Sequence, residues 1–126
     1  MAIEKSDNFF QGNIINNCYI VSVYDSIEDE KLEKLCENTI ITAHGKNLKG
    51  VIFSFINVNV IDSYTINLFI DATKVISLLG KYVVWTGLKP GVISSILDFN
   101  INTDDIQISS NIEHGIEIIN KHADLI

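Results

Sequence analysis

Short apolar runs alternate with longer stretches of helical period along the whole chain. Asn13 to Val23 (NIINNCYIVSV) is rich in isoleucine and valine and is broken by Asn16-Asn17, which predicts two short strands joined by a tight turn. Asp25 and Ser26 precede Glu28, Asp29 and Glu30, placing capping side chains and negative charge where a helix N-terminus is positive. Leu32, Leu35, Cys36, Ile40 and Ala43 follow at helical spacing, and Gly45 ends the run. Val51 to Ile56 (VIFSFI) is a nearly continuous apolar run, the pattern of a strand covered on both faces. Asp62-Ser63 opens a second helix that runs to Leu79 and is closed by Gly80. Tyr82 to Trp85 reads as the next buried strand. Thr86 to Gly91 is a turn whose Pro90 suits the first position of a helix, supplied by Val92 to Phe99. Ile106 to Ile108 reads as a last short strand, and Ser110 with Glu113 forms a capping-box pattern for a helix over Ile112 to Ala123.

Strands alternating with helices predict an α/β fold: a mixed, mostly parallel sheet with an N-terminal antiparallel strand pair and about four helices packed on it. Residues 1–126 are expected to form a single domain with its core over about 13–123. Composition agrees: the 126 residues are 47% hydrophobic with one proline, far from the disordered signature. The charge, 9 − 16 = −7, lacks the basic footprint of a nucleic-acid or anionic-membrane binder, so proteins or small molecules are the expected partners. Apolar runs fall short of the roughly 20 residues a bilayer requires, and neither a signal peptide nor a span is expected. Cys18 and Cys36 lie in apolar patterns without CxxC spacing and read as two buried thiols of a cytoplasmic protein.

Several chemistries lack their residues. A metal-dependent phosphate receiver needs acidic side chains at strand ends, yet the Val51 strand ends at Asn57. Neither GxGxxG, GxxxxGK[ST] nor GxSxG occurs. His44, His114 and His122 are far apart in sequence and lack ligand spacing, so they read as surface residues, and no metal or cofactor is expected.

The informative stretch is Asn57 to Phe69 (NVNVIDSYTINLF), where a polar loop leaves a buried strand and places a hydroxyl at a helix mouth. Wound at 100° per residue, Leu68, Phe69, Ala72, Val75, Ile76 and Leu79 form one stripe, expected to face the core. Ile66 and Ile70 point away from it, with Ser63, Asn67 and Lys74 sharing or flanking their side. Two readings stand together here. Asp62 or Ser63 is simply an N-cap, with Ile66 and Ile70 packed under a loop. Alternatively, Ser63 is a phosphorylation site on a protein-binding surface, its phosphate meeting free N–H groups at the helix start. A Ser63 nucleophile, or a small-molecule binder at the strand ends, is a third reading; the enzyme version has only Asp62 as a local base.

VIDSYTINLF followed by LGKYVVWTGLKPGVISSIL resembles the STAS domain family of anti-sigma-factor antagonists, in particular its single-domain stressosome-scaffold branch. The resemblance runs from about Asn13 to Ile119 and rests on the Asp-Ser pair opening a helix, the Leu-Gly before the next strand and the Thr-Gly-x-x-Pro turn after it. It implies a non-enzymatic cytoplasmic scaffold. Ser63 would be phosphorylated by a partner serine/threonine kinase of the switch-protein type and dephosphorylated by a phosphatase. The chain would co-assemble into a large oligomer with paralogous STAS proteins carrying N-terminal sensor domains, and hold the kinase until phosphorylation releases it. Asn59, Asp62, Ser63, Tyr64, Ile66, Asn67 and Ile70 are the expected partner-binding residues, and Ser95 aligns with a second phosphosite of sensor-bearing relatives but reads more simply as an exposed helix serine. A stand-alone antagonist, monomeric or dimeric, is the alternative. The chain departs from the family pattern at Ser54, where many members carry aspartate, and at Asn57 and Asn59, where serine, threonine or aspartate is commoner.

Overall fold

Asn16 and Asn17 adopt positive φ of 50° and 64° and join β1 (Asn13–Ile15) to β2 (Cys18–Tyr24) as an antiparallel hairpin. Asparagine tolerates this left-handed backbone better than other side chains, and two such residues match the twist of a two-residue hairpin. The computed structural model describes residues 12–25, 27–45, 47–101, 104 and 106–124. Within them β3 (Gly50–Asn57), β4 (Tyr82–Thr86) and β5 (Gln107–Ser109) extend the sheet in the order β1-β2-β3-β4-β5, all parallel beyond the hairpin. Four helices are described: α1 (Asp29–Gly45), α2 (Ser63–Leu78), α3 (Pro90–Asp98) and α4 (Ile112–Asp124). The α/β class and the mixed sheet expected from the alternation are both observed.

A strand order equal to the chain order, joined by right-handed crossovers, puts α1, α2 and α3 on one face. Alternate strand residues confirm it. Val51, Phe53, Phe55, Val83 and Trp85 share one core with Leu35, Phe69 and Val92. Cys18, Ile20, Ile52 and Val84 form a smaller core under Ile119 of α4 on the opposite face. Cys18 and Cys36 therefore belong to separate cores as free, buried thiols, and burial pushes the Cys36 thiol up to about 12.

The larger core is aromatic. Phe69 of α2 meets Phe53 and Phe55 edge-on at centroid distances of 5.1 and 5.3 Å, and Phe55 lies 5.0 Å from Trp85. Thr73, one turn along α2, accepts the Trp85 indole N–H at 3.0 Å and donates to the Phe69 carbonyl at 2.7 Å. Thr73→Val keeps the shape but strands a buried indole N–H, so a loss of about 1–3 kcal/mol is expected in urea unfolding.

Four local expectations are corrected. The first helix starts at Asp29 rather than beside Asp25, because the Asp25 carboxylate is taken by Asn59; Ser26 lies outside the described residues. The last strand is Gln107–Ser109 rather than Ile106 to Ile108, since Ile106 packs against the larger core. The cap of α4 is Asn111 rather than Ser110: its Oδ1 accepts the His114 N–H at 2.8 Å. The largest correction concerns the phase of α2. Its buried residues are Ile66, Phe69, Ile70, Ala72, Thr73 and Ile76, whereas Val75 is exposed and Leu68 and Leu79 are half-buried. The helix is turned toward the Phe53–Phe55–Trp85 cluster, which draws Ile66 and Ile70 inward, while Leu68 and Ala72 lie toward α1.

Candidate functional site

The polar loop between β3 and α2 is held at both ends by burial and in the middle by hydrogen bonds. Val58 and Ile61 are buried, while Val60 between them is exposed. Asp25 Oδ2 accepts both the backbone N–H and the side-chain amide of Asn59, at 2.9 and 3.1 Å. The Lys89 ammonium donates to Asn59 Oδ1 at 3.1 Å. A Cβ on Gly91 would stand 2.3 Å from the Asn59 carbonyl oxygen, so only glycine lets the start of α3 approach this loop. Asn59, expected among the partner-contacting residues, is thus the brace that joins β2, the loop and α3.

Asp62 caps α2 in extended backbone (φ −92°, ψ 169°), its Oδ1 accepting the Thr65 N–H at 2.8 Å. That bond favours the ionised carboxyl and lowers its pKa, although Asp62 is exposed. A group with a depressed folded pKa stabilises the fold above its ordinary value of about 3.9, and the contribution fades as pH falls through the folded value. Asp62→Ala should cost about 1 kcal/mol at neutral pH. Asp62→Asn should keep most of the cap and flatten this part of the acid limb; thermal melts from neutral to acid pH read both effects.

Ser63 is therefore the first residue of α2 and is exposed. The amide N–H groups at the first helical positions have no carbonyl one turn back, so an added anion there meets unspent donors. Tyr64 beside it donates its hydroxyl to the Glu33 carboxylate of α1, clipping the start of α2 to that helix. The bond to the carboxylate pushes the phenol up to about 12, because it disfavours the phenolate. On its other side Ser63 opens, with Asn67, Lys74 and Phe99, onto a cavity of about 430 Å³ between α2 and the chain leaving α3.

Ser63, Asn67 and Lys74 are brought together as the helical spacing predicts. Ile66 and Ile70 are not a wet patch beside the serine: they are 0% and 8% exposed and belong to the core. The apolar surface near the serine comes instead from Val60, the Tyr64 ring and Phe99, at 70%, 43% and 43% exposure. Phe99 reaches the site from the end of α3, and no local signal near Ser63 announces it. Ser95 is half-buried rather than exposed, its hydroxyl donating to the Gly91 carbonyl of the preceding turn at 3.1 Å. The Asp62 carboxylate is spent on the Thr65 N–H and is a poor base for activating Ser63. The described residues contain no group of three or more histidine, cysteine, aspartate or glutamate side chains able to hold a metal, and no described helix is long and apolar enough to cross a membrane.

The architecture, a hairpin-started parallel sheet with three helices on one face and a fourth behind it, is the fold of STAS-domain proteins. Among solved structures the chain is similar to a serine-to-glutamate variant of RsbS from Moorella thermoacetica, with a TM-score of 0.81 and 18% identity over 91% of this chain and 97% of that one. It is also similar to a chain of the stressosome, described as a signal integration and transduction hub, with a TM-score of 0.77 and 20% identity over 89% of this chain and 97% of that one. SpoIIAA, the Bacillus cell fate determinant, in its phosphorylated form superposes with a TM-score of 0.64 and 11% identity over 87% of this chain and 98% of that one. No protein-family model and no curated protein sequence matches the chain.

Proposed function

We propose that this chain is an anti-sigma-factor antagonist of the stressosome-scaffold type, switched by phosphorylation of Ser63. The observation that carries the reading is an exposed hydroxyl at the first position of a helix whose cap is supplied by its neighbour, Asp62. A phosphate there adds about −1.5 to −2 charges without entering the core, and the helix N-terminus accommodates it. It also places that charge beside Val60, Tyr64 and Phe99, apolar surface that a protein partner would cover. The fold likeness to RsbS, to a stressosome chain and to phosphorylated SpoIIAA supports the same reading.

In this role the unphosphorylated chain retains a serine/threonine kinase of the switch-protein type, phosphorylation releases it, and a phosphatase resets the surface. Asp62, Ser63, Tyr64 and Asn67 form the contact edge, with Asn59 bracing it from below. Co-assembly with paralogous STAS proteins carrying sensor domains gives exposed apolar side chains such as Leu78, Leu97 and Ile14, at 86%, 72% and 53% exposure, surfaces to cover them. Intact-mass measurement after incubation with such a kinase and ATP should show one added phosphate on the wild-type chain and none on Ser63→Ala. Undiminished labelling of that variant would exclude Ser63 as the site. Light scattering of the chain with its STAS paralogues should give particles far heavier than 14.1 kDa, whereas a stand-alone antagonist stays monomeric or dimeric.

A further inference from the structure

On the sheet face away from Ser63, two hydroxyl residues sit side by side at the carboxyl ends of the parallel strands. Ser54 of β3 and Thr86 of β4 are register partners, two residues beyond Ile52 and Val84 and therefore on the α4 face. Both are buried, at 2% and 1% exposure, and Thr86 Oγ1 finds no hydrogen-bond partner among the described residues. An unpaired buried hydroxyl is costly unless something outside the chain completes it. Both residues line a cavity of about 390 Å³, within the range of small-molecule sites, together with Ile56, Ile112 and Glu113.

The cavity also faces the N-terminus of the 13-residue α4. The donors there divide cleanly. His114 N–H is taken by Asn111 Oδ1 at 2.8 Å and Gly115 N–H by the Asn111 carbonyl at 3.1 Å. Ile112 and Glu113, the first two helical residues, have N–H groups with no carbonyl one turn back. Two hydroxyl side chains and two amide N–H groups without a helical acceptor thus border one space, and an occupant suited to such donors is an oxyanion. Glu113 at the rim, a net charge of −7 and a lining without lysine or arginine favour one negative charge over two. Ile56, 54% exposed, and Ile112 supply apolar walls for the remainder of the ligand.

We infer that the space between Ser54, Thr86 and the start of α4 binds a small monocarboxylate with a short apolar or aromatic body, giving this domain a ligand site separate from the Ser63 surface. The probe is benzoate, titrated into the ¹⁵N-labelled full chain at constant ionic strength, with benzamide and inorganic phosphate in parallel. The expected result is saturable movement of the Thr86, Ile112 and Glu113 amide signals with benzoate alone. Thr86→Val, which removes only a hydroxyl that has no partner among the described residues, should melt no lower than wild type and bind benzoate at least tenfold more weakly; Ser54→Ala should weaken it in the same direction. Non-saturating shifts, equal shifts with benzamide, or undiminished binding in both variants would overturn the site. Equal shifts with phosphate would reduce it to an adventitious ion only at a helix end.

Discussion

Phe69→Ala is expected to destabilise the domain by about 3–5 kcal/mol, a large part of the roughly 5–15 kcal/mol that separates a folded domain from its unfolded chain. The ring is fully buried and sits edge-on to both Phe53 and Phe55, so its removal leaves a void between α2 and the two central strands as well as losing transferred apolar area. Partial collapse cannot fill the space, because Trp85 is held by its bond to Thr73 and Phe53 is paired on both sides, with Val21 and Trp85. Urea unfolding should show a lower midpoint with an unchanged slope. Leu78→Ala on the same helix, at 86% exposure, is the control and should stay within about 0.5 kcal/mol. A loss below about 1 kcal/mol for Phe69→Ala would mean that α2 is not anchored where the structure places it. The consequence reaches the surface, since the helix that Phe69 anchors is the one whose first residue is Ser63.

The parts legible from sequence are those that one segment decides by itself. Asn16-Asn17 sets the hairpin, Asp62 caps α2, and Pro90 starts α3, each because the side chain acts on its own backbone. The continuous run VIFSFI announces a strand covered on both faces, and the structure covers Val51 to Phe55 with α2 on one side and α4 on the other while leaving Ile56 exposed. What was not legible depends on a second element. The α2 sequence carries two overlapping apolar stripes, Ile66–Phe69–Ile70–Thr73–Ile76 and Leu68–Phe69–Ala72–Val75–Ile76–Leu79. Periodicity alone cannot rank them, because both satisfy the 3.6-residue repeat. The aromatic cluster below the helix decides for the first, with Thr73 admitted to the core as the partner of an indole. Asp25 offered an equally good local signal for capping α1, and the Asn59 amide claimed it from 34 residues away. The Ser63 hydroxyl at the helix mouth could be read directly. Its surroundings, Phe99 and the Asp25 and Lys89 side chains that hold Asn59, come from three other segments and had no signal near the motif.

The second large effect expected is on partner binding rather than on folding. Ser63→Asp, and more so phosphorylated Ser63, should leave the thermal midpoint of the chain unchanged or raised while weakening kinase retention by tenfold or more, the equivalent of at least about 1.4 kcal/mol. The two halves of this expectation have separate causes. Ser63 is exposed at the first turn of α2, where the helix has no acidic residue beyond its cap, so an added negative charge meets the positive end of the helix dipole. Asp62 one residue earlier repels it, but both groups face water and the repulsion is screened. On the partner's side the balance reverses. A kinase that covers Val60, Tyr64 and Phe99 would have to strip water from the new charge, and desolvating an unpaired ion costs more than the apolar contact returns. Surface-bound kinase titrated against wild type, Ser63→Ala and Ser63→Asp separates the causes, because Ser63→Ala removes the hydroxyl without adding charge. Retention kept by Ser63→Ala and lost by Ser63→Asp, with matching melts for both, is the expected pattern. Equal loss in the two variants would make Ser63 a contact residue instead of a switch, and a lowered melting temperature in Ser63→Asp would assign the loss of binding to a disturbed helix.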